Sequence, residues 1–438
     1  VVTPECKALV NLFFLTESAK GLGKSGASDV EQLNCVVIGA GVMGAGIAGA
    51  LARSGCNVIL KDVSEEGLQR GLAQIRSSLE RSRSLSEQER SFILNRVELT
   101  TQDSPNLSNA QLVLEAVFED MSLKKKILSD IIPKVSSNAI IASNTSSLSI
   151  SALAECSDRP QAVVGLHFFN PVDKMPLLEI VRGKQTSDRT ISVAAAVCNK
   201  LRKFPIVAED VPGFLVNRIL VPYLNEAAYL LSEGYRIVDI DKAATNFGMP
   251  MGPIRLLDEV GLDVAAHVSN TMLEGYGERM KSPEFSQLMV DAGRKGKKSK
   301  TGFYDYPKDK NSTNREIPFS NLRATLGIRV LEQTNVRLET LAERLILTMI
   351  NEAVKCLDEG VAGAPGKDAA DQVDLGSVMG FGFPPFRGGI LYYADKLGAK
   401  KILEKLEPLA KQHGARFEIA PGIVARAASG RDFHSAMS

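Results

Sequence analysis

Short apolar runs alternate with longer segments of helical periodicity between residue 34 and about residue 210. The apolar runs are rich in β-branched residues and read as strands at 35–40, 57–62, 112–117, 139–144, 162–169, 177–181 and 204–210. Segments with apolar residues at helical spacing fill the gaps, for example at 64–84, 122–132 and 190–202. This alternation predicts a mostly parallel, doubly wound α/β sheet.

The strand pattern ends after residue 214, and residues 215–290 and 320–428 have the periodicity of helices. Residues 217–234 align without gaps with residues 343–360, and seven of eighteen positions are identical. We therefore predict two homologous all-α units that follow the α/β domain. The basic segment 294–300 lies between them and reads as a solvated charged surface, with a phosphate-binding patch as the alternative.

The chain begins with a helical pattern over residues 1–20, which Thr3 and Pro4 introduce as N-cap and first helical residue. Gly and Ser dominate residues 21–29, which predicts a flexible linker. The resulting division is a linker helix with its linker at 1–30, an α/β domain at 31–212, a first helical domain at 213–310 and a second at 311–438.

Composition excludes several classes of function. There are 52 basic and 51 acidic side chains, so no nucleic-acid partner is expected. Six cysteines without a C-x-x-C pair indicate a reducing, intracellular compartment, and four histidines make a catalytic metal site improbable, so we expect none. The apolar stretch 34–52 is rich in Gly and Ala and ends at Arg53, so we expect no membrane span.

A Gly-rich motif, "GAGVMG", follows the first strand and opens a helix. Gly39 permits a tight turn, Gly41 lets a pyrophosphate approach the backbone, and Gly44 allows close packing, with Val42 and Met43 between them. Asp62 ends the next strand eighteen residues after Gly44 and is placed to bind the ribose hydroxyls. These features predict a Rossmann-like domain that binds NAD in preference to NADP, although Lys61 weakens the charge argument.

A histidine and an acid are candidates for proton transfer. His167 is the only histidine of the α/β half, and Glu179 lies twelve residues later in the apolar run "PLLEIV". An acid in an apolar strand is costly to bury unless it is paired, so we predict a His–Glu pair across adjacent strands. Such a pair is either a structural contact or, beside a dinucleotide, a base for the oxidation of an alcohol.

Two further polar segments are candidates for ligand contacts. The cluster "SNTSSLSIS" (143–151) follows a strand and is either a helix cap or part of a site at the sheet edge. Asn217 and Arg218 stand at the start of the first helical unit, and we expect both to face the α/β domain.

The motifs together resemble those of the L-3-hydroxyacyl-CoA dehydrogenases. The resemblance covers about 31–428 and rests on "GAGVMGAGIA", "EAVFED", "ASNTSSL", "GLHFFNPV", "EDVPGFLVNR", "GMPMGPIRLLDEVGLD", "INEAVKCLDEG" and "GFGFPPFRGG". The chain is similar to the dehydrogenase half of multifunctional β-oxidation enzymes. Residues 1–20 resemble the helix that links the hydratase/isomerase half to the dehydrogenase half in these enzymes, and the hydratase/isomerase half is absent here. The resemblance implies NAD-dependent oxidation of L-3-hydroxyacyl-CoA to 3-ketoacyl-CoA in fatty-acid β-oxidation.

The resemblance also implies roles for individual residues. His167 matches the family's base and Glu179 its partner, while Ser146 and Asn217 match residues that hold the reacting oxygen. Asp62 matches the ribose acid, and the residues that match the nicotinamide side are Glu119, Lys124 and Asn144. Ser78 fits a coenzyme A contact, and Arg81 is offered in place of a lysine whose position holds Leu85.

Alternatives and partners stay open at this point. The chain could be a dehydrogenase of a hydroxyacid without coenzyme A, or a non-catalytic scaffold subunit of a β-oxidation complex. The resemblance implies an acyl-CoA substrate, an upstream hydratase/isomerase domain and a thiolase subunit as a possible partner. We expect a monomer, since both helical copies lie in one chain. We expect a bacterial cytoplasmic, mitochondrial or peroxisomal location, without a targeting signal in the sequence.

Overall fold

The computed structural model describes residues 3–307, 317–328, 337–363 and 366–435. It divides into two compact units, one formed by Phe13–Phe214 and the other by Leu215–Ser438 together with Val1–Leu12. Among the described residues, we find no helix whose length and apolarity would let it cross a membrane.

The α/β unit is built on one eight-stranded sheet. Its strands are β1 (Asn34–Ile38), β2 (Asn57–Lys61), β3 (Val97–Thr100), β4 (Leu112–Glu115), β5 (Ile140–Ser143), β6 (Val163–Phe168), β7 (Leu177–Arg182) and β8 (Phe204–Glu209). Their spatial order is 3-2-1-4-5-6-7-8, and only the β6–β7 pair is antiparallel. The prediction of a Rossmann-like, mostly parallel sheet is confirmed.

Helices cover this sheet, as the periodicity predicts. They are α2 (Val42–Arg53), α3 (Glu65–Arg81), α4 (Glu87–Leu94), α5 (Met121–Ile131), α6 (Ile150–Ala154) and α7 (Asp188–Lys200), and α1 (Pro4–Gly21) precedes them. Ser64 and Ser86 begin α3 and α4 as N-caps; α3 is the helix predicted over 64–84, and α4 follows it outside that range. Strands β4, β5 and β6 are buried at every residue, as expected for a sheet with both faces covered.

One strand of this unit was not predicted, and one prediction is wrong. The edge strand β3 was not expected, because its sequence "VELT" lacks an apolar run and most of it is only half-buried. The predicted flexible linker is instead packed: a side chain at Gly23 or Gly26 would collide with the backbone of α7. The Ser25 hydroxyl also contacts that of Ser192 on the same helix. Glycine therefore serves close packing here and not flexibility.

In the residues that the structure describes, the other unit is helical apart from one short β-hairpin. Its helices are α8 (Val216–Ser232), α9 (Ile237–Phe247), α10 (Pro253–Val260), α11 (Leu262–Tyr276), α12 (Phe285–Asp291), α13 (Leu322–Leu326), α14 (Leu338–Asp358), α15 (Lys367–Phe381), α16 (Ile390–Leu397), α17 (Ala399–His413) and α18 (Pro421–Ser429). The hairpin joins β9 (Tyr304–Asp305) to β10 (Ile317–Pro318). Helices α8 and α14, which carry the aligned repeat segments, pack against each other.

Reciprocal ion pairs join the two copies of the repeat. Arg218 on α8 donates from Nε to Glu352 on α14 (2.8 Å), and Nη2 lies 2.8 Å from Glu359. Arg344, the counterpart of Arg218, pairs with Glu226 and Glu233, the counterparts of those two acids. The prediction that Arg218 faces the α/β domain is thus wrong, because its guanidinium is fully buried against the second copy.

A half-buried histidine holds the end of the described chain. His434 lies between Asp395 (Nδ1 to Oδ2, 2.6 Å) and Asp374 (Nε2 to Oδ2, 3.0 Å). Burial opposes its charge, but the hydrogen bonds and charges of both carboxylates prevail and raise the pKa of His434 to about 10. His434 is therefore an imidazolium at neutral pH.

We expect this imidazolium to make stability depend on pH. Its pKa in the folded protein lies above the ordinary value of 6.5, so its contribution is complete below pH 6.5 and disappears as the pH rises to about 10. The difference in urea midpoint between the unaltered protein and His434→Gln should shrink over this range. The matched variant His267→Gln, at an exposed position, should show no such trend. A constant difference for His434→Gln would contradict the assignment.

Three of the five basic residues of segment 294–300 pair with acids of the same unit. Arg294 pairs with Asp305 (2.5 Å), Lys297 with Glu259 and Lys298 with Asp263. These three acids neutralise cations that would otherwise attract a phosphate. The interpretation as a charged surface is therefore favoured, and residues 308–316 of the predicted crossover lie outside the described residues.

Candidate active site

The Gly-rich turn has the geometry of a pyrophosphate site. Gly39 has a φ of +102°, which a side chain would strain, and a Cβ at Gly44 would lie 1.8 Å from the Gly39 carbonyl oxygen. A Cβ at Gly41 would meet no atom within 4 Å, so the space beside this residue is open. Gly41 is also the N-cap of α2 and supplies no side-chain cap, which leaves the first N–H groups of the helix for an anion. Val42 and Met43 begin this helix.

Asp62 lies beside this turn. Its Oδ2 accepts a hydrogen bond from the Ala40 backbone N–H (2.7 Å), and its Oδ1 accepts one from Ser64 N–H (3.0 Å). The carboxylate at the carboxyl end of β2 therefore also stabilises the conformation of the Gly-rich turn. Lys61 lies 3.1 Å from Asp103, so its charge is partly matched elsewhere.

His167 and Glu179 form the predicted pair. They are direct partners in the antiparallel register of β6 and β7, and Nδ1 lies 2.8 Å from Glu179 Oε2. Both are buried, and the Phe169 and Phe214 rings flank the imidazole at 4.5 and 5.8 Å. A carboxylate on Nδ1 selects the tautomer with hydrogen there, so the lone pair lies on Nε2. Nε2 makes no hydrogen bond within the described part of the chain.

The turn after β5 is organised by one carboxylate. Glu119 Oε1 accepts hydrogen bonds from the Thr145 hydroxyl (2.6 Å), the Ser146 N–H (2.8 Å) and the Ser146 hydroxyl (3.2 Å). Burial raises the pKa of Glu119, but the Lys124 charge and these donors outweigh it and leave the pKa below its ordinary value. Glu119 is therefore ionised, and Ser146 has a fixed place at the sheet edge.

A buried acid behind this turn was missed by sequence reasoning. Glu115, at the end of β4, is fully buried and contacts the fully buried Lys124 through both carboxylate oxygens (2.8 and 3.0 Å). It also accepts hydrogen bonds from the Ser143 hydroxyl (2.6 Å) and Val117 N–H (2.7 Å). Lys124 thus bridges Glu115 and Glu119, which lies 3.4 Å away. The acid inside the apolar run "LVLEAV" was the available signal.

The remaining candidates of this unit differ in placement. Asn144 follows β5, and its Oδ1 accepts a hydrogen bond from the Phe168 N–H (2.9 Å), which ties it to the strand of His167. On α3, the half-buried Ser78 donates to Asp173 (3.1 Å), and the exposed Arg81 donates to Ser77 (2.8 Å). The structure therefore gathers Asn144 with the core of the site, whereas the coenzyme A contacts at Ser78 and Arg81 stay predictions.

Asn217 belongs to the helical unit, as the second residue of α8. Its counterpart in the repeat is Glu343 on α14, so the second copy lacks the asparagine.

The carboxyl ends of the parallel strands gather the α/β candidates along one edge. Gly39 follows β1, Asp62 follows β2, Glu119 follows β4, Asn144 follows β5, and His167 is the penultimate residue of β6. Ligands of doubly wound sheets bind at this edge. Within the described residues, no cluster of three or more potential ligands could hold a metal ion.

Comparison with known proteins agrees with this arrangement. The family model described as 3-hydroxyacyl-CoA dehydrogenase, NAD binding domain, matches residues 34–211, and the model for the C-terminal domain of the same family matches residues 213–306. The fatty acid oxidation complex subunit alpha of Shewanella baltica is 42% identical over 423 residues, which are 95% of this chain and 58% of that protein. The chain thus spans less than two thirds of this relative.

Solved structures show the same likeness. A 3-hydroxybutyryl-CoA dehydrogenase from Escherichia coli is 27% identical with a TM-score of 0.78, over 91% of this chain and 99% of that one. An (S)-3-hydroxybutyryl-CoA dehydrogenase from Ralstonia eutropha is 39% identical with a TM-score of 0.60, over 64% of this chain and 100% of that one. With both domain models matched and a whole relative covered at this identity, the chain belongs to the NAD-binding 3-hydroxyacyl-CoA dehydrogenase family.

Proposed function

We propose that this chain oxidises an L-3-hydroxyacyl-CoA to the 3-ketoacyl-CoA with NAD, and reverses the reaction when NADH is abundant. The observation that carries the proposal is the His167–Glu179 pair, whose Nε2 lone pair lies at the sheet edge that bears the Gly-rich turn. A base beside a dinucleotide site suits the removal of a hydroxyl proton.

The residues of the site fit NAD. The open space at Gly41 and the uncapped N-terminus of α2 suit a pyrophosphate, and Asp62 at the end of β2 suits the ribose hydroxyls. NAD, when bound, accepts the hydride that leaves C3 of the substrate. Glu119 and Lys124 would line its nicotinamide side, with Asn144 beside them.

His167 Nε2 takes the proton of the substrate hydroxyl, and the adjacent Glu179 carboxylate stabilises the imidazolium that forms. Glu119 holds Ser146 through its backbone N–H, and the Ser146 hydroxyl would turn from Glu119 to donate its hydrogen to the oxygen at C3. The resemblance to the family assigns Asn217 a second hydrogen bond to that oxygen, and this role stays a prediction. In the reverse direction, His167 returns the proton as negative charge develops on the oxygen.

A direct assay tests the proposal. The purified chain should oxidise NADH in the presence of acetoacetyl-CoA and should be inactive with acetoacetate alone. Equal rates with both substrates would indicate a hydroxyacid dehydrogenase that does not need coenzyme A. Absence of turnover would leave the scaffold function as the better explanation.

The charge of Asp62 should set the cofactor preference. A 2′-phosphate would be repelled by this carboxylate, so kcat/KM with NAD should exceed kcat/KM with NADP by a wide margin. Asp62→Ala should narrow the gap and lower activity with NAD, because the Ala40 hydrogen bond is lost too. Asp130→Ala, at an exposed position on α5, should leave the preference unchanged. Equal use of the two cofactors by the unaltered protein would refute this role.

We also propose a place in fatty-acid β-oxidation, in a complex such as the one that the Shewanella relatives are named for. A thiolase subunit and a hydratase/isomerase domain would be its partners there. The chain by itself should be monomeric, because α14 already covers α8 within one molecule.

A further inference from the structure

A cavity lies within the helical unit, between residues 338–350 of α14 and the helices α9, α16 and α17. It encloses about 300 Å³, which is at the lower end of the range for small-molecule sites. None of the residues of the proposed reaction lines it. Its apolar wall is formed by Phe247, Ala342, Ile346, Leu347, Ile350 and Leu397.

An arginine is fixed at this wall. Arg387 donates from Nε and Nη2 to the Phe247 carbonyl oxygen (3.1 and 3.0 Å), and its guanidinium stacks 3.9 Å from the Phe247 ring centroid. Its third nitrogen, Nη1, makes no hydrogen bond to any described residue. A guanidinium held in this way loses little freedom when it binds a planar anion.

The other polar groups complete the donor set. The Tyr393 ring lies 5.0 Å from the Arg387 guanidinium, and burial raises the pKa of Tyr393, so its hydroxyl keeps its proton. Lys405 pairs with Glu343, and each neutralises the other. The remaining acid, Glu339, is exposed on the first turn of α14, where water screens its charge. Arg387 is therefore the positive group that a ligand would meet.

The repeat gives the cavity a counterpart. Glu343 occupies the position of Asn217, so residues 342–350 of α14 correspond to residues 216–224 of α8. That α8 segment contacts the acyl substrate in the proposed function, and this step of the inference rests on that proposal. The equivalent surface of the second copy has kept an apolar wall but has no dinucleotide-binding domain of its own.

We propose that this cavity is a second binding site, for a carboxylate with a medium-length alkyl chain. The chain lies along the apolar wall, and the carboxylate accepts hydrogen bonds from Arg387 Nη1 and the Tyr393 hydroxyl. An ionised acceptor on an arginine makes the strongest class of hydrogen bond in proteins, which gives the site its preference for an acid. No chemistry takes place there.

Calorimetric titration of the whole chain with decanoate tests this site. The unaltered protein should bind one decanoate, and decanol should bind at least tenfold more weakly. Arg387→Met should weaken decanoate binding at least tenfold, and Ala342→Leu should abolish it by filling the cavity. Arg70→Met, at an exposed arginine of α3, is the matched control and should bind as the unaltered protein does.

Two further measurements separate this site from the active site. His167→Gln should bind decanoate normally, and acetoacetyl-CoA should not displace it. The inference is overturned if decanoate does not bind, if decanol binds equally well, or if neither cavity variant weakens binding. If the unaltered protein oxidises NADH with acetoacetyl-CoA but does not bind decanoate, this inference is wrong and the proposed function still stands.

Discussion

His167→Gln should lower turnover with acetoacetyl-CoA and NADH by roughly 10²–10⁴-fold, the usual contribution of a positioned acid–base group. Glutamine keeps a polar side chain of similar length and can still face Glu179, but its amide cannot act as the acid or base that exchanges a proton with the substrate oxygen. NADH binding should persist, because the proposed cofactor contacts are made by the Gly-rich turn and Asp62, whereas His167 pairs with Glu179. Steady-state kinetics and NADH fluorescence titration measure the two effects separately.

The same substitution elsewhere provides the control for this experiment. His267 is exposed on α11, so His267→Gln should retain full turnover. Near-normal turnover of His167→Gln would refute the mechanism. A simultaneous loss of NADH binding would instead show that His167 is needed for the shape of the cofactor site.

Arg218→Met should destabilise the helical unit by about 3–5 kcal/mol, as expected when one partner of a buried ion pair is removed. The arginine is fully buried between the copies, so its loss leaves Glu352 with Arg279 as its remaining cation (3.1 Å). It also removes the stacking on the Tyr276 ring, whose centroid lies 4.4 Å from the guanidinium. Urea unfolding followed by the helical circular dichroism signal measures this loss.

A second substitution and a surface pair sharpen this experiment. Glu352→Leu added to Arg218→Met should recover part of the stability, since a buried acid that has lost one of its two cations is then removed. Arg70→Met breaks an exposed pair with Glu66 and should cost no more than about 1 kcal/mol. If Arg218→Met behaved like Arg70→Met, the reciprocal ion pairs would not be what joins the copies.

The sequence determined those features that depend on neighbours along the chain. The Gly-rich motif needs only consecutive residues, because the turn, the open space and the helix start all follow from glycines at 39, 41 and 44. Asp62 could be placed because the next strand ends there. The His167–Glu179 pair could be predicted because an acid in an apolar strand needs a partner, and the adjacent strand offered one.

Tertiary structure alone decided the contacts between residues far apart, and those in which polar groups are buried by packing. Arg218 and Glu352 are separated by 134 positions, so nothing local indicates that they meet, and Arg218 was expected elsewhere. Lys124 looks like one of three exposed lysines in "LKKK", yet the rotation of α5 on the sheet buries it against Glu115. Glycine in the segment before β1 looks flexible until α7 packs against it. Local pattern fixes backbone conformation, whereas desolvation and charge pairing depend on which surfaces meet, and only the folded chain determines that.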